Sequence, residues 1–109
     1  MVGEQHGLTG LVAAGRTGAL LGLANVRTFA RPSTGSVGLY LDDLFTGPAA
    51  RRAGVGTALL RAVADLAAQR GASVVRWITA ADNADARALY DELATRTPWV
   101  TYDMAPGRG

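Results

Sequence analysis

The amino-acid sequence predicts a single α/β (α+β) domain, in which helices cover the faces of a mixed, mostly antiparallel central sheet. Three strand-like apolar runs separated by turn-forming residues occupy the first 45 residues, and a strongly periodic helical stretch follows them. The chain has 109 residues, of which 49% are hydrophobic, enough for one core. We expect residues 1–109 to form one domain, with residues 1–7 and 105–109 flexible.

The first three strands are predicted from apolar runs and the turns between them. Residues 8–14 and 19–29 are apolar and are separated by the turn formers of residues 15–18, which predicts a β-hairpin. Residues 31–36 concentrate further turn formers, and residues 37–45 are rich in strand-favouring types. Antiparallel neighbours with short connections are therefore expected.

A helix and a fourth strand follow. Between residues 55 and 67 the apolar positions recur with the spacing of one helical face, namely Val55, Ala58, Leu59, Ala62, Val63, Leu66 and Ala67. Gly71 is placed for a left-handed residue just after the helix, so the helix should end near Arg70. Residues 73–79 are β-branched and aromatic and predict a strand parallel to residues 37–45.

The last elements are a second helix and a last strand. Asp82 or Asn83 can cap the helix, whose buried stripe would be Ala86, Leu89, Tyr90 and Leu93. Pro98 stops it, and residues 99–104 predict a strand in which Trp99 belongs to the core or to a pocket wall. The predicted order is β-β-β-α-β-α-β.

Composition excludes several classes of protein. Without cysteine the chain has no disulfide, thiolate metal site or cysteine nucleophile. Eleven basic residues are offset by nine acidic ones, too even a balance to indicate nucleic-acid binding. No apolar stretch is long enough to span a membrane and no secretory signal is present, so a cytoplasmic protein is expected. We expect no metal, because Arg87 stands where a calcium loop around Asp82 and Asp85 would need glycine.

One segment between a predicted strand and the strong helix is typical of anion binding. Two glycines let an anion approach the backbone, and the amides and dipole of the first helical turn favour it. Arg51 or Arg52 could add charge-assisted bonds. A tight strand-to-helix turn without any ligand is the alternative interpretation. The segment runs Arg51-Arg52-Ala53-Gly54-Val55-Gly56-Thr57.

In its context this segment resembles the acyl-CoA signature of the GCN5-related N-acetyltransferase (GNAT) superfamily. The flanking sequences agree with that resemblance over residues 8–104, namely Leu41-Asp42-Asp43-Leu44-Phe45-Thr46 before it and Asn83, Ala86, Leu89 and Tyr90 after it. Within the superfamily the chain looks most similar to bacterial members related to the spermidine/spermine and thialysine acetyltransferases, through the acidic pair and through Trp77-Ile78-Thr79.

The resemblance implies an acyl-CoA N-acyltransferase fold that binds acetyl-CoA as acetyl donor. It implies that main-chain groups of Leu44, Phe45 and Thr46 pair with the pantetheine arm, and that amides of residues 52–57 hold the pyrophosphate. Asn83 would bond the cofactor near the mouth of the cleft. The alternative is that Asn83 is only a helix N-cap, and the two roles are compatible.

The chemistry suggests candidate catalytic residues beside that resemblance. An amine attacks a thioester only when neutral, so a carboxylate that accepts its proton is useful, and Asp42 and Asp43 are the candidates. Because neighbouring strand residues point to opposite faces, at most one of them should be placed for this role. The resemblance places Tyr90 at the thioester sulfur, where its hydroxyl could protonate the departing thiolate; otherwise Tyr90 is a core residue of the helix stripe.

The start of the chain departs from the superfamily pattern. Members normally have a strand and one or two helices before the hairpin that begins here at Leu8, so we expect an N-terminally truncated fold. A fragment, a pocket completed by a second copy, and a reduced cofactor-binding protein are all compatible with this. Because self-association would cover the exposed sheet, we expect a homodimer.

The predicted function is acetyl-CoA-dependent N-acetyltransfer, directly to a primary amine of a small molecule such as a diamine, a polyamine or a lysine-like compound. The alternative is a truncated, catalytically weak acyl-CoA-binding module or subunit. Neither hypothesis involves nucleic acid or a membrane.

Overall fold

A computed structural model describes residues 2–5, 8–15, 18–47 and 54–107 of the chain. They divide into two compact units, Met1–Thr79 and Ala80–Gly109. In chain order the elements are β1 (Val2–Gln5), β2 (Leu8–Ala14), β3 (Leu20–Arg31), a 3-10 turn (Pro32–Thr34), β4 (Ser36–Thr46), α1 (Val55–Gln69), β5 (Val75–Arg76) and α2 (Ala84–Leu93). That the whole chain is a single domain stays a prediction.

The first unit contains a five-stranded sheet in the order β1-β2-β3-β4-β5. The first three pairings are antiparallel, and β4 pairs with β5 in parallel through Leu39 with Val75 and Tyr40 with Arg76. The predicted hairpin, third strand and parallel fourth strand are therefore confirmed. The fourth strand, however, is only Val75–Arg76, shorter than the expected residues 73–79.

The beginning of the chain differs from the expected flexible tail. Val2–Gln5 is a strand that pairs antiparallel with β2, from Val2 opposite Leu11 to Gln5 opposite Leu8. Its four residues include a glycine, a glutamate and a glutamine, so the sequence shows no apolar alternation there. The free edge of β2 supplies hydrogen-bond partners that local composition does not reveal.

The core lies between α1 and one face of the sheet. Val26 on β3, Leu39 on β4 and Val63 on α1 are completely buried. Of the face of α1 predicted from its spacing, Val55, Leu59, Val63 and Ala67 are buried. Ala58 of that face is exposed, and Leu60, which the spacing did not include, is buried. Apolar burial between these elements is the main stabilising contribution to this unit.

The ends of α1 follow from two glycines. Gly54, just before the helix, has φ 78°, and Gly71, just after it, has φ 69°. Both values lie in the left-handed region, which glycine adopts without steric cost. The amide of Gly71 donates to the carbonyl of Ala68, and the amide of Ala72 donates to that of Ala67. The predicted helix end near Arg70 is confirmed.

The second unit contains one helix. α2 begins after Asn83, as predicted, but none of its residues is buried. Ala86, Leu89 and Tyr90 are half-buried, and Leu93 is 36% exposed. The spacing thus identified the helix and its apolar side, whereas the expectation of a fully buried stripe was wrong.

The predicted last strand is absent. Residues 95–107 contain no helix or strand, and Trp99 and Met104 are 79% and 94% exposed, so Trp99 is not a core residue. The segment has strand-favouring side chains, but a strand also needs a hydrogen-bonding edge to pair with. Composition alone therefore overestimated its order.

Candidate functional site

An irregularity in β4 places the two candidate carboxylates. Asn25 on β3 lies opposite Asp43, and the next residue, Val26, lies opposite Leu41. Asp42 is therefore an extra residue with no partner on β3, which is a β-bulge. A bulge interrupts the alternation of side chains between the two faces of a strand.

Hydrogen bonds show that both carboxylates point to the same side of the sheet. Arg27 Nε donates to Asp42 Oδ1 at 3.0 Å and to Oδ2 at 3.1 Å. Asn25 Nδ2 donates to Asp43 Oδ2 at 3.3 Å. Asn25 and Arg27 are two residues apart on β3 and so share a face. The expectation that Asp42 and Asp43 point to opposite faces was wrong, because the bulge removes the alternation on which it rested.

The end of β4 presents an open main-chain edge. The pairing with β5 stops at Tyr40, and in the part of the chain that the structure describes no strand continues along residues 41–46 on that side. Leu44, Phe45 and Thr46 lie on this edge, with Phe45 53% exposed and the other two half-buried. The main-chain groups of Phe45 face β3, since bonded pairs alternate along the strand and Gly47 is bonded to Leu21. Those of Leu44 and Thr46 point outward and are placed to bond an extended ligand, as a strand would.

The start of α1 packs on β3 next to the end of β4. A Cβ built on Gly22 of β3 would be 2.7 Å from the carbonyl oxygen of Phe45, 3.0 Å from Leu59 Cδ1 and 3.1 Å from Val55 Cγ1. Because Gly22 has no side chain, the first turn of α1 packs closely against β3 and next to β4. The glycine thereby places the N-terminus of α1 at the end of the β3–β4 pair.

The first turn of α1 has amides with no acceptor among the described residues. The N-cap residue, Gly54, has no side chain that could bond to these amides, and the first turn of α1 contains no acidic residue. The first bond that closes the helix is from the Ala58 amide to the Gly54 carbonyl, at 3.0 Å. The preceding amides, those of Val55, Gly56 and Thr57, point out of the helix end with its partial positive charge. Arg51, Arg52 and Ala53 lie outside the described residues.

Asn83 and Tyr90 belong to the second unit. Asn83 Oδ1 accepts from the Ala86 amide at 3.3 Å, so Asn83 is the N-cap of α2. Tyr90 lies half-buried on α2, and burial raises its pKa above the usual 10.0, since a buried phenolate loses hydration. The phenol therefore carries its proton at neutral pH and can donate it.

Sequence reasoning did not identify the partners of the two carboxylates. Arg27 and Asn25 face them from β3, and the Arg27 guanidinium carbon lies 4.5 Å from the centre of the Tyr40 ring. The alternation of side chains along β3 places Arg27 and Asn25 on one face and could have been used to predict this. The sequence carried no signal for the bulge that turns Asp42 to the same side.

The described residues form neither a metal-binding cluster nor a membrane-spanning helix. They contain no group of three or more histidine, cysteine or acidic side chains that could hold a metal ion. None of the described helices has both the length and the apolar character needed to cross a membrane.

Comparison with solved structures shows the same fold in known acetyltransferases. The ribosomal-protein-alanine N-acetyltransferase from Brucella melitensis biovar Abortus 2308 is 24% identical with TM-score 0.82, covering 94% of this chain and 73% of its own. An aminoglycoside acetyltransferase from an uncultured soil metagenomic sample is 28% identical with TM-score 0.81, covering 95% and 69%. AAC(6')-Iy, solved with the bisubstrate analogue CoA-S-monomethyl-acetylneamine, is 19% identical with TM-score 0.81, covering 94% and 72%.

Comparison of sequences identifies the family. A search of curated protein sequences found no match. The sequence profile of the acetyltransferase (GNAT) family, in contrast, matches residues 2–94, which include the bulged strand, the α1 N-terminus and α2. The chain therefore has a mixed α/β GNAT fold and belongs to the GNAT family of N-acetyltransferases.

Proposed function

We propose that this chain transfers the acetyl group of acetyl-CoA directly to a primary amine of a small molecule. The observation that carries the proposal is that the α1 N-terminus packs on Gly22 of β3 at the end of β4, while the other edge of β4 is unpaired among the described residues from residue 41 to residue 46. An extended arm ending in phosphates fits this combination, because a strand edge bonds the arm and a helix N-terminus bonds the phosphates.

In this proposal the cofactor is held mainly by main-chain groups. Leu44 and Thr46 bond the pantetheine arm along β4, and the amides of residues 52–57 bond the pyrophosphate, with Arg51 or Arg52 adding positive charge. Asn83 bonds the cofactor in addition to capping α2. When bound, acetyl-CoA supplies a thioester that a neutral amine can attack.

The side chains supply proton transfers around that thioester. A carboxylate of the acidic pair, Asp42 or Asp43, accepts the proton that the ammonium loses, directly or through water. The amine nitrogen then bonds to the acetyl carbon as the carbon–sulfur bond breaks, and it releases one further proton to solvent as the amide forms. Tyr90 donates its phenolic proton to the leaving sulfur and is reprotonated from solvent; its raised pKa keeps it in the donating form.

Two neighbours support the choice of an amine acceptor. One is named as an aminoglycoside acetyltransferase, and another was solved with an analogue that joins CoA to an acetylneamine. A likeness to the spermidine/spermine and thialysine acetyltransferases, and acceptors such as diamines, polyamines or lysine-like compounds, stay predictions.

Homodimerisation and a cytoplasmic location are further parts of the proposal. Leu8, Val12 and Phe45 expose 40%, 37% and 53% of their surface in the sheet unit. Contact with a second copy would remove such apolar surface from water. Sedimentation at micromolar concentration tests homodimerisation, and the mass of a single chain would contradict the dimer.

The test of function combines binding with turnover. The purified chain is titrated with acetyl-CoA by calorimetry, with ATP as a control for binding by phosphates alone, and free thiol is measured over a panel of monoamines, diamines, polyamines and amino acids. We expect acetyl-CoA binding, and thiol release that depends on one class of amine. Acetyl-CoA binding without release for any amine would contradict the enzyme and support the binding module, and no binding would contradict both.

A further inference from the structure

We propose that Asp43 is the carboxylate that accepts the proton of the acceptor amine, and that Asn25 is a positioning residue that holds Asp43 for this role. This inference rests on the proposed function and deepens it, because that function leaves the two aspartates of β4 equivalent. It follows from a difference between their partners: a side-chain amide bonds to Asp43, whereas the guanidinium of Arg27 pairs with Asp42.

The charge of Asp42 is already used in an ion pair. Nε of Arg27 contacts both carboxylate oxygens of Asp42, at 3.0 and 3.1 Å. The guanidinium carbon of Arg27 also lies 4.5 Å from the centre of the Tyr40 ring, a cation–π contact that favours this orientation. A proton on Asp42 would cancel its charge and with it the attraction to Arg27. Accepting a proton would therefore cost Asp42 its ion pair.

Asp43 keeps one carboxylate oxygen open. Asn25 Nδ2 donates to Oδ2 of Asp43 at 3.3 Å, and within the described residues this is the bond that the Asp43 carboxylate makes. Oδ1 has no partner in that part of the chain, and Asp43 is exposed, so an ammonium group can reach it. A neutral amide orients a carboxylate without pairing its charge. Accepting a proton therefore costs Asp43 no ion pair.

The position of Asn25 suits a residue that holds another side chain. Its neighbours along β3, Ala24 and Val26, are completely buried, which fixes the backbone on both sides. Its cross-strand neighbours are Gly10 on β2 and Asp43 on β4. Because glycine has no side chain, the side chain directly opposite Asn25 is that of Asp43. Packing and register thus direct the Asn25 amide to Asp43.

Asp43 also lies closer than Asp42 to the proposed cofactor arm. The arm follows β4 from Thr46 to Leu44, and its thioester end continues toward the acidic pair, where Asp43 is next to Leu44. In the step carried out by Asp43, an N–H bond of the bound ammonium breaks and an O–H bond forms at Oδ1. The neutral amine attacks the thioester, and Asp43 returns its proton to solvent before the next turnover.

The experiment compares Asp43→Asn with Asp42→Asn, two variants that lose the same charge with little change in side-chain size. Thiol release is measured at saturating acetyl-CoA with propylamine, 1,4-diaminobutane, spermidine and lysine, one amine from each class of the panel. At about pH 7 we expect Asp43→Asn to lower kcat/KM by about a hundredfold and Asp42→Asn to lower it by less than about fivefold. Circular dichroism and the melting temperature show whether each variant is folded.

The pH dependence shows whether the lost group is a proton acceptor. Raising the pH from about 7 to about 9.5 supplies neutral amine from solution, which no longer needs a base. The deficit of Asp43→Asn relative to the native protein should therefore shrink by about tenfold. A purely structural loss would leave the ratio of native to variant activity unchanged over this range.

Two variants of Asn25 test the positioning role. Asn25→Ala removes the donor to Asp43 and should lower kcat by about tenfold, with the affinity for acetyl-CoA unaltered. Asn25→Gln keeps an amide donor and should recover most of this loss. Calorimetry with acetyl-CoA separates the effect on kcat from an effect on cofactor binding.

The outcomes separate this inference from the function on which it rests. No thiol release by the native protein with any amine overturns the proposed function. With an active native protein, the inference fails if Asp42→Asn loses as much kcat/KM as Asp43→Asn, or if the deficit of folded Asp43→Asn is the same at both pH values. Should Asp43→Asn not fold, native kcat in Asn25→Ala still contradicts the inference.

Discussion

The two units of this chain differ in what holds their residues in place. In Met1–Thr79 a helix packs on a sheet, and residues distant in sequence, such as Val26, Leu39 and Val63, are completely buried. In Ala80–Gly109 there is one helix without a buried residue, followed by an exposed segment. The first unit is stabilised by long-range packing and the second by local bonds such as the Asn83 cap. Long-range packing and local capping are thus two different sources of order, and side-chain removal should affect the two units differently.

The sharpest test of this contrast is the removal of one leucine side chain from each unit. Leu39→Ala removes a completely buried side chain and should lower the free energy of unfolding by about 2–5 kcal/mol. Leu93→Ala, at a position 36% exposed on α2, should cost less than about 1 kcal/mol. Urea denaturation followed by circular dichroism measures both. Equal losses would show that α2 is packed as tightly as the sheet.

A second test asks whether the loosely packed unit carries the proton donor. Tyr90→Phe removes the phenolic hydroxyl and should lower kcat by about a hundredfold, with little change in acetyl-CoA affinity. Tyr102→Phe makes the same chemical change at a position 89% exposed and should leave kcat unaltered. Steady-state thiol release and calorimetry separate the two effects. A Tyr90→Phe protein with native kcat would assign Tyr90 to packing alone.

A third test disturbs the contact at Gly22, where the start of α1 packs on β3 next to the end of β4. This contact is called the junction below. Gly22→Ala introduces a Cβ 2.7 Å from the Phe45 carbonyl oxygen, and we expect a loss of about 1–3 kcal/mol in stability together with weaker acetyl-CoA binding. Gly107→Ala adds the same atom where no described atom beyond its two chain neighbours lies within 4 Å, and it serves as control. Denaturation and calorimetry report the two effects. Native acetyl-CoA affinity in a folded Gly22→Ala protein would show that this junction does not form the cofactor site.

The smallest expected effect concerns the titration of Tyr90. Since its folded-state pKa is raised above 10.0, the folded protein keeps this proton at pH values where the unfolded chain has begun to lose it. The resulting stability is fully present below pH 10 and is lost as pH rises through the folded-state pKa. The absorbance difference at 295 nm between native and Tyr90→Phe protein gives the midpoint. A midpoint at or below the usual tyrosine value would contradict the burial of this side chain.

Much of the fold was predictable because its signals are periodic. The apolar spacing from Val55 to Ala67 located α1, and the turn formers before Leu20 and after Arg31 located the strands around them. Val2–Gln5 was not predictable, because its order comes from the edge of β2. Residues 99–104 were predicted to form a strand and form none, because a strand-favouring composition does not provide a pairing partner.

The members of the candidate site stay predictions, and their geometry was only partly predictable from the sequence. Asp42, Asp43 and Asn83 were identified from the sequence, and Asn83 caps α2 as expected. The shared face of the two aspartates depends on a register shift, and the pairing with Arg27 depends on which residue lies across the strand. Neither property is local, so neither could be derived from residue types and spacing alone.

The bulge at Asp42 has a consequence for the length of β4. Leu41 and Asp43 are both in regular register with consecutive residues of β3, so β4 is an ordinary strand with one residue inserted. Deletion of Asp42 alone would leave every other residue of β4 with its present partner and on its present face. A single codon is therefore enough to change the number of acidic groups on this surface from two to one without rebuilding the sheet.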